Sequence, residues 1–67
     1  MPKTTTRHWA KRKLAASRGN IDQCGQHIFA VSSVYRENHP EISEKLDVIL
    51  AILTELDHEI DLVDSGI

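Results

Sequence analysis

The sequence predicts an all-α protein: a helical hairpin of two antiparallel helices that assembles into a four-helix-bundle-like homo-oligomer. Three observations lead to this fold class. Apolar residues recur at heptad spacing through the second half of the chain. A short segment ending at Pro40 separates two such stretches, as in antiparallel neighbours. Finally, a chain of 67 residues with one cysteine cannot add a disulfide to a small core. We expect a basic N-terminal arm or short helix at 1–19 and the hairpin at 20–67.

The second helix is predicted at about 40–64. Pro40 suits a first helical turn, where its missing N–H costs nothing, and Glu41 favours the positive end of the helix dipole. Gly66 is a plausible stop, whereas Asp61 and Asp64 oppose the dipole, so we expect the last turn to fray. Apolar residues follow one another in steps of four and three, which indicates an uninterrupted coiled-coil seam: Ile42, Leu46, Ile49, Leu53, Leu56, Ile60 and Val63.

The first helix is predicted at about 20–37. Its apolar residues also alternate steps of three and four: Ile21, Cys24, Ile28, Val31 and Tyr35. Asn20 is a suitable N-cap for a helix that starts there. Leu14 extends the pattern backwards, so one long helix beginning near Thr6 is the alternative. We favour a separate or frayed arm, because Gly19 and Asn20 together are typical of a break.

The middle of the second helix is apolar nearly all round, because Val48, Leu50 and Ile52 lie off its seam. A helix of this kind is buried on several sides, and a lone hairpin can cover only one of them. We therefore predict self-association, as a homodimer or a higher oligomer, with a two-fold dimer as the commonest solution. The expected oligomer interface consists of Ile28, Val31, Tyr35, Leu46, Ile49, Leu50, Ile52, Leu53, Leu56 and Ile60.

The net charge of −2 conceals a strong asymmetry, since residues 1–19 contain no acid and residues 20–67 contain all 10 of them. A basic arm on an acidic body is typical of chains that contact polyanions, and equally of an arm that folds back onto its own body. We expect the acids of the second helix to form a solvated face. The residues expected to contact nucleic acid or another polyanion are Arg7, Trp9, Lys11, Arg12, Lys13 and Arg18.

No pattern predicts catalysis, a metal or a cofactor. Cys24 and His27 lie three residues apart, but a structural zinc needs four ligands and no second pair is present. The longest apolar run, 48–53, is far short of the roughly 20 residues of a membrane span. No apolar segment follows the basic N-terminus, so no signal peptide is predicted. We expect a cytoplasmic protein without a membrane partner or small-molecule substrate.

The function predicted from these features is that of a small, non-enzymatic, homo-oligomeric interaction or regulatory protein. Its basic arm would contact nucleic acid or an acidic partner, as in accessory proteins of phages and mobile elements. The alternative is a helical adaptor or inhibitor that binds another protein's helix through the apolar groove of the second helix.

Overall fold

The computed structural model describes residues 3–67, with side chains from Thr6 onward, and it is helical on both sides of one short loop. Helix α1 comprises Lys3–Tyr35 and helix α2 comprises Pro40–Gly66. The two helices pack against each other as an antiparallel pair. The predicted all-α hairpin is therefore confirmed.

Helix α2 begins as the sequence predicts, with Pro40 in its first turn and Glu41 beside it. Its C-terminal end is Gly66, the predicted stop, which lies two residues beyond the predicted boundary near residue 64. The reason lies in α1. Lys11 Nζ donates to the backbone oxygen of Asp64 at 2.8 Å, and Arg7 Nε donates to that of Ile67 at 2.9 Å. These two cations satisfy terminal carbonyls and offset the negative end of the dipole.

Helix α1 is longer than predicted, since it begins at Lys3 and not near residue 20, and it ends at Tyr35 and not at 37. The break expected at Gly19 is absent, and Asn20 lies in the helix interior instead of capping its start. A helical Gly costs about 1 kcal/mol relative to Ala. Contacts between the N-terminal half of α1 and α2 oppose this cost, so the alternative of one long helix describes the chain.

The register of the hairpin follows a strict seven-residue repeat on both helices. Side-chain hydrogen bonds join three pairs of residues across the two helices at this spacing: Lys11 with Asp64, Arg18 with Asp57, and Ser32 with Ser43. A Cβ added to Gly25 would lie 3.9 Å from Leu50 Cδ2. The seam between the helices is thus defined on α1 by Lys11, Arg18, Gly25 and Ser32, and on α2 by Asp64, Asp57, Leu50 and Ser43.

The seam encloses very little apolar volume. Among the described residues no hydrophobic side chain is buried, and only Ser32 and Ser43 are, at 0% and 3% exposure. The radius of gyration is 16.0 Å, whereas a compact domain of this length would have about 11 Å. The hairpin is therefore an elongated rod without a closed core of its own.

Candidate interaction surfaces

A stripe of exposed apolar residues runs along α2. Ile42, Ile49, Leu56 and Val63 each precede a seam residue by one position, and they retain 38%, 40%, 48% and 56% exposure. Ile52 lies beside them at 54%. At about 100° per residue, these four residues are turned roughly a quarter of a circle away from α1, and Ile52, two residues after Leu50, is turned further away from α1 on the same side. We call Ile42, Ile49, Ile52, Leu56 and Val63 the α2 stripe.

Helix α1 adds two residues to the same side of the hairpin. Cys24 and Val31 immediately precede the seam residues Gly25 and Ser32, and both are exposed. An antiparallel helix pair has an approximate two-fold axis perpendicular to the plane of the pair. Residues that immediately precede the seam on either helix consequently lie on the same side of the plane of the pair. Cys24, Val31 and the α2 stripe form a single surface, named the apolar face below.

The size of the accessible surface is consistent with an unfilled interface. The chain exposes 5259 Å², whereas a compact protein of 7.6 kDa would expose about 4,300 Å². The excess is comparable to the approximately 800 Å² that each partner buries in an interface of standard size. One further protein surface on the apolar face would thus bring the exposed area into the ordinary range.

A cluster of ion pairs, named the clasp, holds the N-terminal half of α1 on α2. Arg18 binds Asp57 through two hydrogen bonds, Nε to Oδ1 at 3.0 Å and Nη2 to Oδ2 at 3.2 Å. Its Nη1 donates to Asp61 Oδ1 at 3.0 Å, and Lys11 Nζ lies 3.4 Å from Asp64 Oδ1. Asp57, Asp61 and Asp64 therefore pair with α1 instead of forming the purely solvated face expected from the sequence.

The clasp alters the ionisation of its two central groups. The hydrogen bond from Arg18 lowers the pKa of Asp57, against a smaller opposing effect of desolvation. The same bond raises the pKa of Arg18. Both side chains keep more than a third of their surface exposed, at 39% and 38%, so solvent and salt screen the attraction. The clasp is thus a positioning contact whose strength depends on ionic conditions.

The six residues predicted to contact a polyanion divide into two groups of three. Lys11 and Arg18 bind α2 and Arg7 binds the adjoining Ile67, which is the intramolecular docking that the sequence analysis left open. The other three line a shallow groove of about 290 Å³ together with Ala16, and Trp9 is 55% exposed there. The two cations of this groove are Arg12 and Lys13, and neither forms an ion pair within the described part of the chain.

The ten residues predicted at an oligomer interface also divide evenly. Half of them lie partly buried between α1 and α2: Ile28, Leu46, Leu50, Leu53 and Ile60. The others are exposed: Val31, Tyr35, Ile49, Ile52 and Leu56. Contact of either group with a second chain stays a prediction, and the exposed group is the one with free surface to offer.

A buried polar cluster near the loop was missed by the sequence analysis. Ser32 Oγ lies 2.8 Å from Ser43 Oγ and 2.8 Å from Asp47 Oδ1, and it accepts from Arg36 Nη2 at 3.4 Å. Small side chains at the seam allow close approach of the helices, and the hydroxyl bonds favour one register. The available signal was the seven-residue spacing of Ser32 from Gly25.

Within the described residues, no three His, Cys, Asp or Glu side chains are grouped so that they could hold a metal ion. Cys24 is an exposed free thiol. Neither described helix contains a segment long and apolar enough to cross a membrane.

Comparison of this chain with protein-family models, with curated proteins and with solved structures yields no match. The apolar face, the clasp and the groove are therefore the features of this chain that bear on its function.

Proposed function

We propose that this protein is a non-enzymatic interaction module that works as a homo-oligomer, with the apolar face buried against a second copy. The observation that carries the proposal is the exposure of the apolar face in a chain whose described residues include no buried hydrophobic side chain. Full burial of a Val, Leu or Ile side chain contributes about 1.5–3 kcal/mol. Completing the burial of five half-exposed residues would therefore contribute about 4–8 kcal/mol per protomer before the entropy of association is subtracted.

The shape of the apolar face supports a second copy as the occupant. Four of its residues repeat at seven-residue intervals on α2, and Cys24 and Val31 repeat at the same interval on α1. This is the spacing of helices that pack knobs-into-holes, and two identical faces share it. In a two-fold dimer the same patch occurs on both sides of the interface. Stacking two hairpins on this face would form a four-helix bundle, most simply in the cytoplasm, where Cys24 stays reduced.

Two matched variants on α2 test the proposal. Leu56 lies in the α2 stripe and Leu62 lies outside it, and their exposures are nearly equal at 48% and 52%. Leu56→Gln should weaken association about 30-fold, because losing roughly 1 kcal/mol twice per dimer corresponds to about 2 kcal/mol. Leu62→Gln should leave association within about threefold of the parent chain. Sedimentation equilibrium over micromolar concentrations measures both dissociation constants.

Two results would contradict homo-oligomerisation through this face. One is a parent chain that is monomeric and folded by circular dichroism at all accessible concentrations, which would favour the adaptor that binds a foreign helix. The other is equal weakening by Leu56→Gln and Leu62→Gln, which would place the contact elsewhere on the hairpin.

A second candidate function, binding of single-stranded nucleic acid, has support from the groove on α1. An exposed aromatic ring beside two cations is the combination that stacks on a base and neutralises the neighbouring phosphates. Trp9 provides the ring, and Arg12 and Lys13 provide the charge. The three residues follow one another within about one helical turn, so a short stretch of strand could contact all of them.

The salt dependence of binding distinguishes the two cations of the groove from the full set of five cations predicted to contact a polyanion. Two phosphate contacts on single-stranded nucleic acid predict a slope of log K against log salt of about −1.4, whereas five contacts would predict about −3.5. Trp9 is the only tryptophan in the chain, so its fluorescence reports the titration with oligouridylate directly. Arg12→Gln should weaken binding more than Arg7→Gln, a matched control whose side chain bonds to Ile67. Equal effects, or no quenching of Trp9, would contradict the groove as the binding element.

A further inference from the structure

The α2 stripe has an internal symmetry centred on Ile52. Ile49 and Leu56 lie three and four residues to either side of it, and Ile42 and Val63 lie ten and eleven residues away. A helix whose apolar positions are symmetric about one residue can pack against an identical helix running in the opposite direction. Each apolar residue then meets an apolar region of the partner, and the central residue meets its own equivalent.

The charged residues beside the stripe obey the same symmetry with opposite signs. Lys45 and Glu59 each lie seven residues from Ile52, and both are exposed. No ion pair joins either of them to another described residue. An antiparallel arrangement brings Lys45 to the partner's Glu59 twice per dimer. A parallel arrangement would instead set Lys45 against the partner's Lys45 and Glu59 against the partner's Glu59.

Helix α1 is compatible with a two-fold axis at this height. Gly25 is level with Leu50 in the seam. Cys24 is one residue from Gly25 and Ile52 is two residues from Leu50, so at 1.5 Å per residue they lie within about 1.5 Å of the same level. A two-fold axis that lies in the apolar face and runs across both helices at the level of Ile52 therefore also passes close to Cys24. It makes all neighbouring helices antiparallel, which is the favourable orientation of their dipoles.

From these observations we infer that the second copy packs with α2 antiparallel to its equivalent, about a two-fold axis at Ile52 and Cys24, with Lys45 paired to the partner's Glu59. This inference rests on the proposed homo-oligomer and specifies its geometry. The occupant is a second copy because the charge pattern is complementary to itself.

Charge reversal tests the pairing. Lys45→Glu and Glu59→Lys should each weaken association about tenfold, because two attractive pairs per dimer become repulsive. The double variant K45E/E59K should return to within about threefold of the parent chain. Glu59→Lys is the sharper case, since it brings the net charge from −2 to 0 and general repulsion alone would then favour association. Glu37→Lys makes the same change of charge in the loop between the helices and serves as the control.

Cross-linking tests the position of the axis independently. A short bis-maleimide should join Cys24 to the partner's Cys24 at concentrations where sedimentation finds dimer, and Leu56→Gln should reduce the yield. Efficient cross-linking together with rescue in the double charge variant would support the inference. Failure of the double variant to recover, or absence of cross-linked dimer, would overturn it. If Leu56→Gln still weakens association in that case, the proposed homo-oligomer stands and only its antiparallel geometry is wrong.

Discussion

Replacing Gly19 by alanine tests the continuity of α1. Gly19 lies in the middle of a helix of 33 residues, and no glycine among the described residues has a positive φ. A Cβ added at Gly19 would meet nothing within 4 Å. The substitution therefore changes helix propensity without adding or removing side-chain contacts. Ala is favoured over Gly by about 0.8–1.0 kcal/mol in a helix interior. We expect Gly19→Ala to raise the free energy of unfolding by about 1 kcal/mol per chain.

The assay is thermal unfolding followed by circular dichroism at fixed protein concentration. For a chain of this size, 1 kcal/mol corresponds to a shift of about 4–8 °C in Tm. Gly25→Ala should stabilise slightly more, because its new Cβ would make an ordinary contact with Leu50 Cδ2 at 3.9 Å. Gly66→Ala serves as the control, since Gly66 is the last residue of α2 and has little helix beyond it to propagate.

Continuity of α1 through Gly19 is refuted if Gly19→Ala has no larger effect on Tm than Gly66→Ala. That result would mean that residues before Gly19 are not held in helical conformation in solution, as in the separate arm that the sequence favoured. Gly25→Ala would still stabilise the chain in that case. The two outcomes are therefore distinguishable within one set of variants.

Three further predictions concern the clasp and the serine cluster. The pKa of Asp57 is lowered in the folded chain from its ordinary value of 3.8. The contribution of Asp57 to stability is therefore present above pH 3.8 and is lost as the pH falls below that value. We expect the Tm of Asp57→Asn to depend less on pH between about 4 and 2 than the Tm of the parent chain. Raising salt to about 1 M should accelerate amide hydrogen exchange in residues 6–18 more than in 21–35, and equal acceleration would argue against the clasp. Ser32→Ala should lower the free energy of unfolding by about 1 kcal/mol, whereas Ser33→Ala, an exposed neighbour with the same change in propensity, should stay within about 0.5; similar losses would remove any special role for the buried hydroxyl.

The second helix and the hairpin were predictable because their signals are local. Pro40 restricts the residue before it and suits a first helical turn, and the steps of four and three continue from Ile42 to Val63 without interruption. Both signals arise within a few residues of the position they describe. The boundary of α2 was accordingly predicted within two residues at its C-terminal end and without error at Pro40.

The phase of the seam was harder to predict, because α2 carries two adjacent heptad patterns. One pattern is the seam, which contains Leu50 and otherwise polar residues, and the other is that of the α2 stripe, which contains Ile49 and Leu56. Hydrophobicity alone favours the second pattern as the contact with α1. The structure uses the first, because Gly25 and Ser32 on α1 allow close approach and because serine and aspartate on α2 find partners there. The more apolar pattern is left facing solvent, which is why the candidate site is an apolar surface.

By itself, the sequence determined that this chain is helical, where it turns, and that its second helix has more apolar surface than one partner helix can cover. The tertiary structure decided where α1 begins and which residues of the arm remain available. The physical reason is distance along the chain. Gly19 imposes a local cost of about 1 kcal/mol, whereas the contact that opposes it joins Arg18 to Asp57 across 39 residues, and only the folded hairpin brings those two groups together.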